Sequence, residues 1–146
     1  MTYDSPQLPG TSTRDPMYSE QIRAHYANPR NTGSVANESC RAIVRSPVDS
    51  DTVLITLEID GDVIRDAKFK CMGCTVAIAC SSMATEMILG KPVDEAYQIS
   101  EQAVAEALGG IPAYKMLCSN LAPEGIRRAI DEWRRRRREA GGSQSS

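Results

Sequence analysis

The stretch TVLITLEIDGDVIRDAKFKCMGC, Thr52 to Cys74, decides the fold. In its first half Val53, Ile55, Leu57 and Ile59 alternate with more polar positions, the period of a half-buried β-strand. In its second half Val63, Ala67, Phe69 and Cys71 form another apolar face, interrupted by Arg65, while Asp66, Lys68 and Lys70 point away. Both apolar faces lie on one side of a hairpin when Ile59 pairs with Val63, which leaves Asp60-Gly61-Asp62 as a three-residue turn. Cys40–Val44, stopped by Ser46-Pro47, supplies a further strand. The expected sheet is antiparallel, with one face covered.

The cover is helical. Thr75–Leu89 is apolar almost all round and stops at Gly90, as a buried helix with a glycine at its C-terminus does. Val93–Gln98 and Glu101–Leu108 are shorter helices, with Ser100 placed to cap the second. Gly109-Gly110 breaks the run, Ile111-Pro112 opens a turn of helix leading to Cys118, and a last helix covers 120–138 with Pro123 in its first turn. Upstream, 17–27 forms a helix ended by Asn28-Pro29, and 30–39 is loop. Strands first and helices after define an α+β domain over 16–139, between flexible tails at 1–15 and 140–146.

Composition narrows the function. The chain has 146 residues and a net charge of −2, which gives no global basic field for nucleic acid. No apolar run approaches the roughly 20 residues that span a bilayer, so the expected location is the cytoplasm. Thiols stay reduced there, and an odd count of five cysteines argues against a disulfide framework. The arginine run 134–138 ends the last helix, where cations suit the negative end of the helix dipole.

Two cysteines stand apart. Cys74 sits where the last strand gives way to the buried helix, and Cys118 sits just before the terminal helix. Unpaired N–H groups at helix starts favour thiolate, the form that binds metal or attacks sulfur. Cys71 and Cys74 have C-x-x-C spacing, which leaves a thiol–disulfide oxidoreductase or half of a zinc site open. Cys80 falls on the packed face of its helix, and Cys40 is undecided.

Three segments, MYSEQIRAHYANPRNTGS (17–34), AKFKCMGCTVAIACSSMATEMILGK (67–91) and IPAYKMLCSNLAPEGIRRAI (111–130), together resemble the U-type iron–sulfur cluster assembly scaffolds, the IscU and NifU N-terminal domain family. The resemblance implies a three-stranded antiparallel sheet packed against helices, and a protein that is a carrier rather than an enzyme with turnover. It also implies a transient cluster, [2Fe–2S] in type, held by three cysteines and an aspartate. Its partners would be a cysteine desulfurase, recipient apo-proteins and a chaperone pair.

By that resemblance Cys74 and Cys118 are cluster ligands. The family's first cysteine lies in a Pro-x-Cys-Gly-Asp loop, which here reads Pro47-Val48-Asp49-Ser50-Asp51. The aspartate is kept as Asp51, while Asp49 stands where the cysteine belongs. Leu117 replaces a histidine common in the family, and the chaperone-recognition segment is altered to Ile111-Pro112-Ala113-Tyr114-Lys115. Clusters prefer sulfur donors to carboxylates. The expectation is therefore a rewired site: Cys74, Cys118 and Cys71 or Cys40 as thiolates, with Asp49 or Asp51 as a weak oxygen ligand. Cys118 is the expected persulfide acceptor. The alternative is a divergent relative that binds zinc, relays sulfur or regulates a partner.

Overall fold

The computed structural model describes residues 18–47 and 50–142. The expected tail at 1–15 lies outside that range, and so does Asp49.

The chain forms helix α1 (Glu20–Ala27), strands β1 (Cys40–Arg45), β2 (Thr52–Asp60) and β3 (Val63–Met72), then α2 (Thr75–Ile88), α3 (Val93–Tyr97), α4 (Glu101–Ala107), a 3-10 helix (Ala113–Asn120) and α5 (Leu121–Gly142). The strands lie in the order β1-β2-β3, all antiparallel. The α+β reading and the three-stranded sheet are as expected. α5 runs past the expected boundary at 139, to Gly142.

Cross-strand partners share a face of the sheet. Val44, Val53 and Cys71 stand in one row, and Ala42, Ile55 and Phe69 in the next. These rows face the helices, and Val53, Ile55 and Phe69 are buried. α2 and α5 cover this side. α5 comes in close at Gly125, where a Cβ would meet Ile55 Cγ1 at 2.8 Å. Only glycine lets the helix axis approach that near.

The hairpin tip corrects the expected register. Asp60 pairs with Val63 and Ile59 with Ile64, around a two-residue turn at Gly61-Asp62. Both turn residues have positive φ, 61° and 65°, as the tight turn that matches strand twist requires. A β-bulge follows between Glu58 and Ile59. Glu58 faces Asp66 and Ile59 faces Ile64, so Arg65 is the extra residue. One extra residue flips the alternation. Ile64, not Val63, therefore enters the core, and Val63 is 36% exposed. The interruption at Arg65 marks the bulge.

The loop after α1 is also less irregular than expected. Thr32 bridges Phe69 in parallel fashion, with Gly33 N–H donating to Phe69 O at 2.8 Å and Phe69 N–H donating to Asn31 O at 2.9 Å. These bonds cover the free edge of β3, which would otherwise invite another strand.

α1 is anchored on α2 through His25. The Ser82 hydroxyl oxygen accepts from Arg30 N–H at 2.8 Å, which leaves its hydrogen for His25 Nδ1 at 2.7 Å. The other ring nitrogen faces Glu86 at 3.7 Å. The imidazole is 6% exposed, and burial lowers its pKa from 6.5, with Glu86 opposing and Arg30 assisting. It is a histidine that ties α1 to α2. Above pH 6.5 both folded and unfolded forms are neutral and its stabilisation is complete. As pH falls below 6.5 the unfolded chain protonates first, so that stability is lost. Wild-type stability is expected to fall from pH 6.5 towards pH 5 by more than that of His25→Gln, as checked by urea denaturation at each pH.

Candidate metal centre

The site lies where the three strands end nearest the helix starts. Asp51 immediately precedes β2, Cys74 is the N-cap of α2, and Cys118 sits in the 3-10 helix before α5. Three chain segments far apart in sequence thus meet. Cys74 Sγ and Cys118 Sγ are 3.4 Å apart, and Asp51 Oδ2 is 3.9 Å from Cys118 Sγ. Cys74 N–H donates to Asp51 Oδ2 at 3.4 Å. One donor atom from each residue falls within 4.8 Å of the others, and among the described residues this is the group that meets a metal-ligand spacing.

The electrostatics divide the pair of thiols. Cys74 is drawn down to about 6 by the hydrogen bond with Cys118, against the penalty of burial, with help from Ala77 N–H and the Lys115 ammonium. Cys118 is pushed up, chiefly by the same hydrogen bond with Cys74. Thiolate character therefore rests on Cys74 at the start of α2, where the helix dipole favours it. Either sulfur can donate the hydrogen bond between them, and Cys118 as persulfide acceptor stays a proposal.

Lys115 is a site residue that the sequence reading assigned only to the altered recognition segment. Burial opposes its charge, but Cys74, Tyr18, Cys118 and Asp51 together raise its pKa. Its positive charge offsets the negative charge gathered at these donors. Nothing in the spacing of Ile111–Lys115 signals this, because it depends on how the 3-10 helix folds back.

Gly73 is the other residue missed. A Cβ there would lie 2.9 Å from Asp51 Cγ, 3.0 Å from Asp51 Oδ2 and 3.2 Å from Ala77 Cβ. Its bareness lets the carboxylate reach Cys74 N–H. Gly73→Ala is expected to cost about 1–3 kcal/mol of stability, since the half-buried Asp51 carboxylate must move to admit the methyl. It should weaken Fe(II) binding about tenfold, as loss of an orienting contact does. Anaerobic Fe(II) titration with parallel thermal melts checks both halves.

The remaining candidates separate cleanly. Cys71 is on the core face of β3, and burial, with the charges of Asp51 and Cys74, pushes its thiol up to about 12. It is close enough to feel the site but is not within the 4.8 Å group. Cys40 is excluded by register. It pairs with Leu57, five residues from Arg45 at the site end of β1, which is about 16 Å of strand. Cys40 is fully buried, with its pKa raised to about 12 by burial. Cys80 is buried inside α2, as packing predicted.

This is an α+β domain with a thiolate–carboxylate group of metal-ligand type at one end of its sheet. The chain belongs to the NifU-like N-terminal domain family, whose model matches residues 17–140. It is 47% identical over 120 residues to iron–sulfur cluster assembly scaffold protein IscU 1 of Archaeoglobus fulgidus, covering 82% of this chain and 78% of that one. It is 39% identical over 124 residues to the scaffold protein IscU of Rickettsia prowazekii, covering 82% and 94%. Among solved structures, the N-terminal NifU-like protein from Brucella abortus superposes with a TM-score of 0.68 over 85% of this chain and 99% of that one. At 19% identity that likeness speaks for the fold.

Proposed function

We propose that this chain is a scaffold on which iron and sulfide are assembled into a cluster and then passed to recipient apo-proteins. The observation that carries the reading is the convergence of Asp51, Cys74 and Cys118, from three separate segments, within 4.8 Å of one another. Their relatives' names as iron–sulfur cluster assembly scaffold proteins support it. The cluster is cargo, of the [2Fe–2S] type, and the protein is a carrier rather than an enzyme.

In this reading Cys74 and Cys118 are the sulfur ligands and Asp51 the oxygen ligand. Cys71 is the third thiolate, since it alone of the other cysteines stands at this end of the sheet and interacts with Cys74 and Asp51. Its proton is lost only as iron binds. A carboxylate among thiolates is a hard donor on a soft-ligand cluster, which suits cargo that must leave.

Sulfur arrives as a persulfide from a cysteine desulfurase. The Cys74 thiolate attacks the terminal sulfur, forming a Cys74 persulfide and releasing the donor's thiolate. Cys118, 3.4 Å away, is placed to receive that sulfur next. The dithiol-exchange reading has less support, because Cys71 is buried with a raised pKa while Cys74 engages Cys118 instead. We place the protein in the cytoplasm, where its free cysteines stay reduced. In the altered 111–115 segment Ala113 and Tyr114 are exposed while Pro112 is buried, so a chaperone would meet the segment at the exposed pair.

The test is transfer. The protein is loaded anaerobically with a desulfurase, cysteine and Fe(II), desalted, and mixed with an apo-ferredoxin while the circular dichroism is followed. A scaffold gives up its cluster to the acceptor within minutes; a cluster that stays on this chain would mean a resident cofactor instead.

A further inference from the structure

The arginine run that ends α5 splits into two sets of side chains. Arg134, Arg137 and Arg138 stand at i, i+3 and i+4, which is one face of the helix. Arg135 and Arg136 lie off that face and are taken up by Glu132 and Glu139 of the same helix. The first set lines a cleft of about 510 Å³, whose other walls include Asp62 at the hairpin tip, Pro92 and Val93 at the start of α3, and Trp133.

The walls are fixed by contacts of their own. Val93 N–H donates to Asp62 O at 2.8 Å and Ile64 N–H to Lys91 O at 2.9 Å, which ties the hairpin tip to the start of α3. Across the cleft, Trp133 packs against the core. The Arg137 guanidinium lies over the Trp133 ring, 4.6 Å from its centroid, and Arg134 lies over the Tyr97 ring at 4.8 Å. Stacked guanidinium planes lose less freedom when a ligand binds. Asp94 meets Arg134 at 2.6 Å and Asp62 meets Arg137 at 2.9 Å. Each of these bonds uses one nitrogen of a fork with five N–H donors, so both forks keep open donors. Arg138 has no carboxylate partner among the described residues.

These features specify a ligand. Guanidinium forks match the oxygens of phosphate. The volume is that of a small-molecule pocket and far exceeds what one phosphate fills. Pro92 and Trp133 give the cleft an apolar side against which a flat ring can lie. An extended polyanion, whether nucleic acid or an acidic protein face, would press on the exposed carboxylates of Asp62 and Asp94. A compact anion passes between them. We infer that this cleft binds a nucleotide, its phosphates on Arg138 and the open edges of Arg134 and Arg137, its base against Pro92 and Trp133. The cleft is separate from the metal-ligand group, because the nine residues of β2 run between the two, about 30 Å of extended strand. The inference therefore stands apart from the scaffold reading.

The probe is ADP, titrated into the 15N-labelled full chain. Trp133 is the chain's single tryptophan, so its indole N–H reports on the cleft unambiguously. Saturable shifts are expected there and at the amides of 61–63 and 91–94, with Cys74 and Cys118 unmoved. Adenosine and inorganic pyrophosphate, each one part of the ligand, should bind at least about tenfold more weakly than ADP. Arg137→Gln with Arg138→Gln should weaken ADP at least about tenfold. Arg135→Gln with Arg136→Gln makes the same change in net charge and should leave it within about twofold. Pyrophosphate as tight as ADP would mean a general anion patch, and adenosine as tight as ADP an apolar one; either overturns the inference. So would single-stranded DNA binding here more tightly than ADP, equal loss in the two double variants, or no saturable shift at millimolar ADP.

Discussion

Cys74→Ser and Cys118→Ser are each expected to reduce cluster yield at least tenfold on anaerobic reconstitution, while Cys40→Ala and Cys80→Ala retain it in the protein that folds. The difference follows from position. Cys74 and Cys118 face each other at 3.4 Å beside Asp51, and a serine oxygen in place of either sulfur removes a soft donor that iron–sulfur clusters prefer. Cys40 and Cys80 are fully buried and outside the group, although Cys80 feels the charge of Cys74, so their loss costs stability, not ligands. Cys71→Ser divides the remaining possibilities. If Cys71 is the third thiolate, its substitution lowers yield severalfold although it lies outside the present 4.8 Å group. Visible absorption with iron and sulfide assays reads all five variants.

Phe69→Ala is expected to destabilise the fold by about 3–5 kcal/mol, the usual range for removing a buried phenylalanine. Phe69 is the chain's single phenylalanine, 2% exposed, and it sits opposite Ile55 in the row that the helices cover. Its backbone also holds Asn31 and Gly33, the segment that closes the edge of β3. A loss of that size is a large part of the roughly 5–15 kcal/mol that holds a domain together. Thermal midpoints should drop by about 10 °C or more. Lys68→Ala, on the opposite face of the same strand, should change stability by no more than about 0.5 kcal/mol. Equal effects at the two positions would mean that the assignment of sheet faces is wrong.

That contrast shows why most of the fold is legible in the sequence. The strand β2 carries its alternation openly, and α2 announces burial by being apolar on nearly every side. Cys74 and Cys118 are likewise visible, because each falls at a junction between elements. What escapes is what depends on a count. The alternation in β3 reads Val63 inward until the bulge at Arg65 is allowed for, and a one-residue slip reverses every side chain before it. Cys40 shows the same limit. It is on the strand that enters the Asp49 loop, but only register puts it at the far end of that strand.

The electrostatics of the site are less legible still. The sequence gives both cysteines the same environment, a helix start, and so cannot rank them. The difference between them comes from a hydrogen bond between residues 44 positions apart and from the unequal burial and charges around each, Lys115 among them. Gly73 likewise gives no sign, beyond its place before Cys74, that a side chain there would strike Asp51.

The most direct measurement is of what the unmodified protein holds when it is purified without oxygen: iron, acid-labile sulfide and zinc per chain, before and after incubation with Fe(II), cysteine and a desulfurase. Iron and sulfide in equal amounts, with charge-transfer bands in the visible spectrum, is the expected result. Zinc alone, or no chromophore under any of these conditions, would contradict the account and leave Asp51, Cys74 and Cys118 as a metal site of another kind.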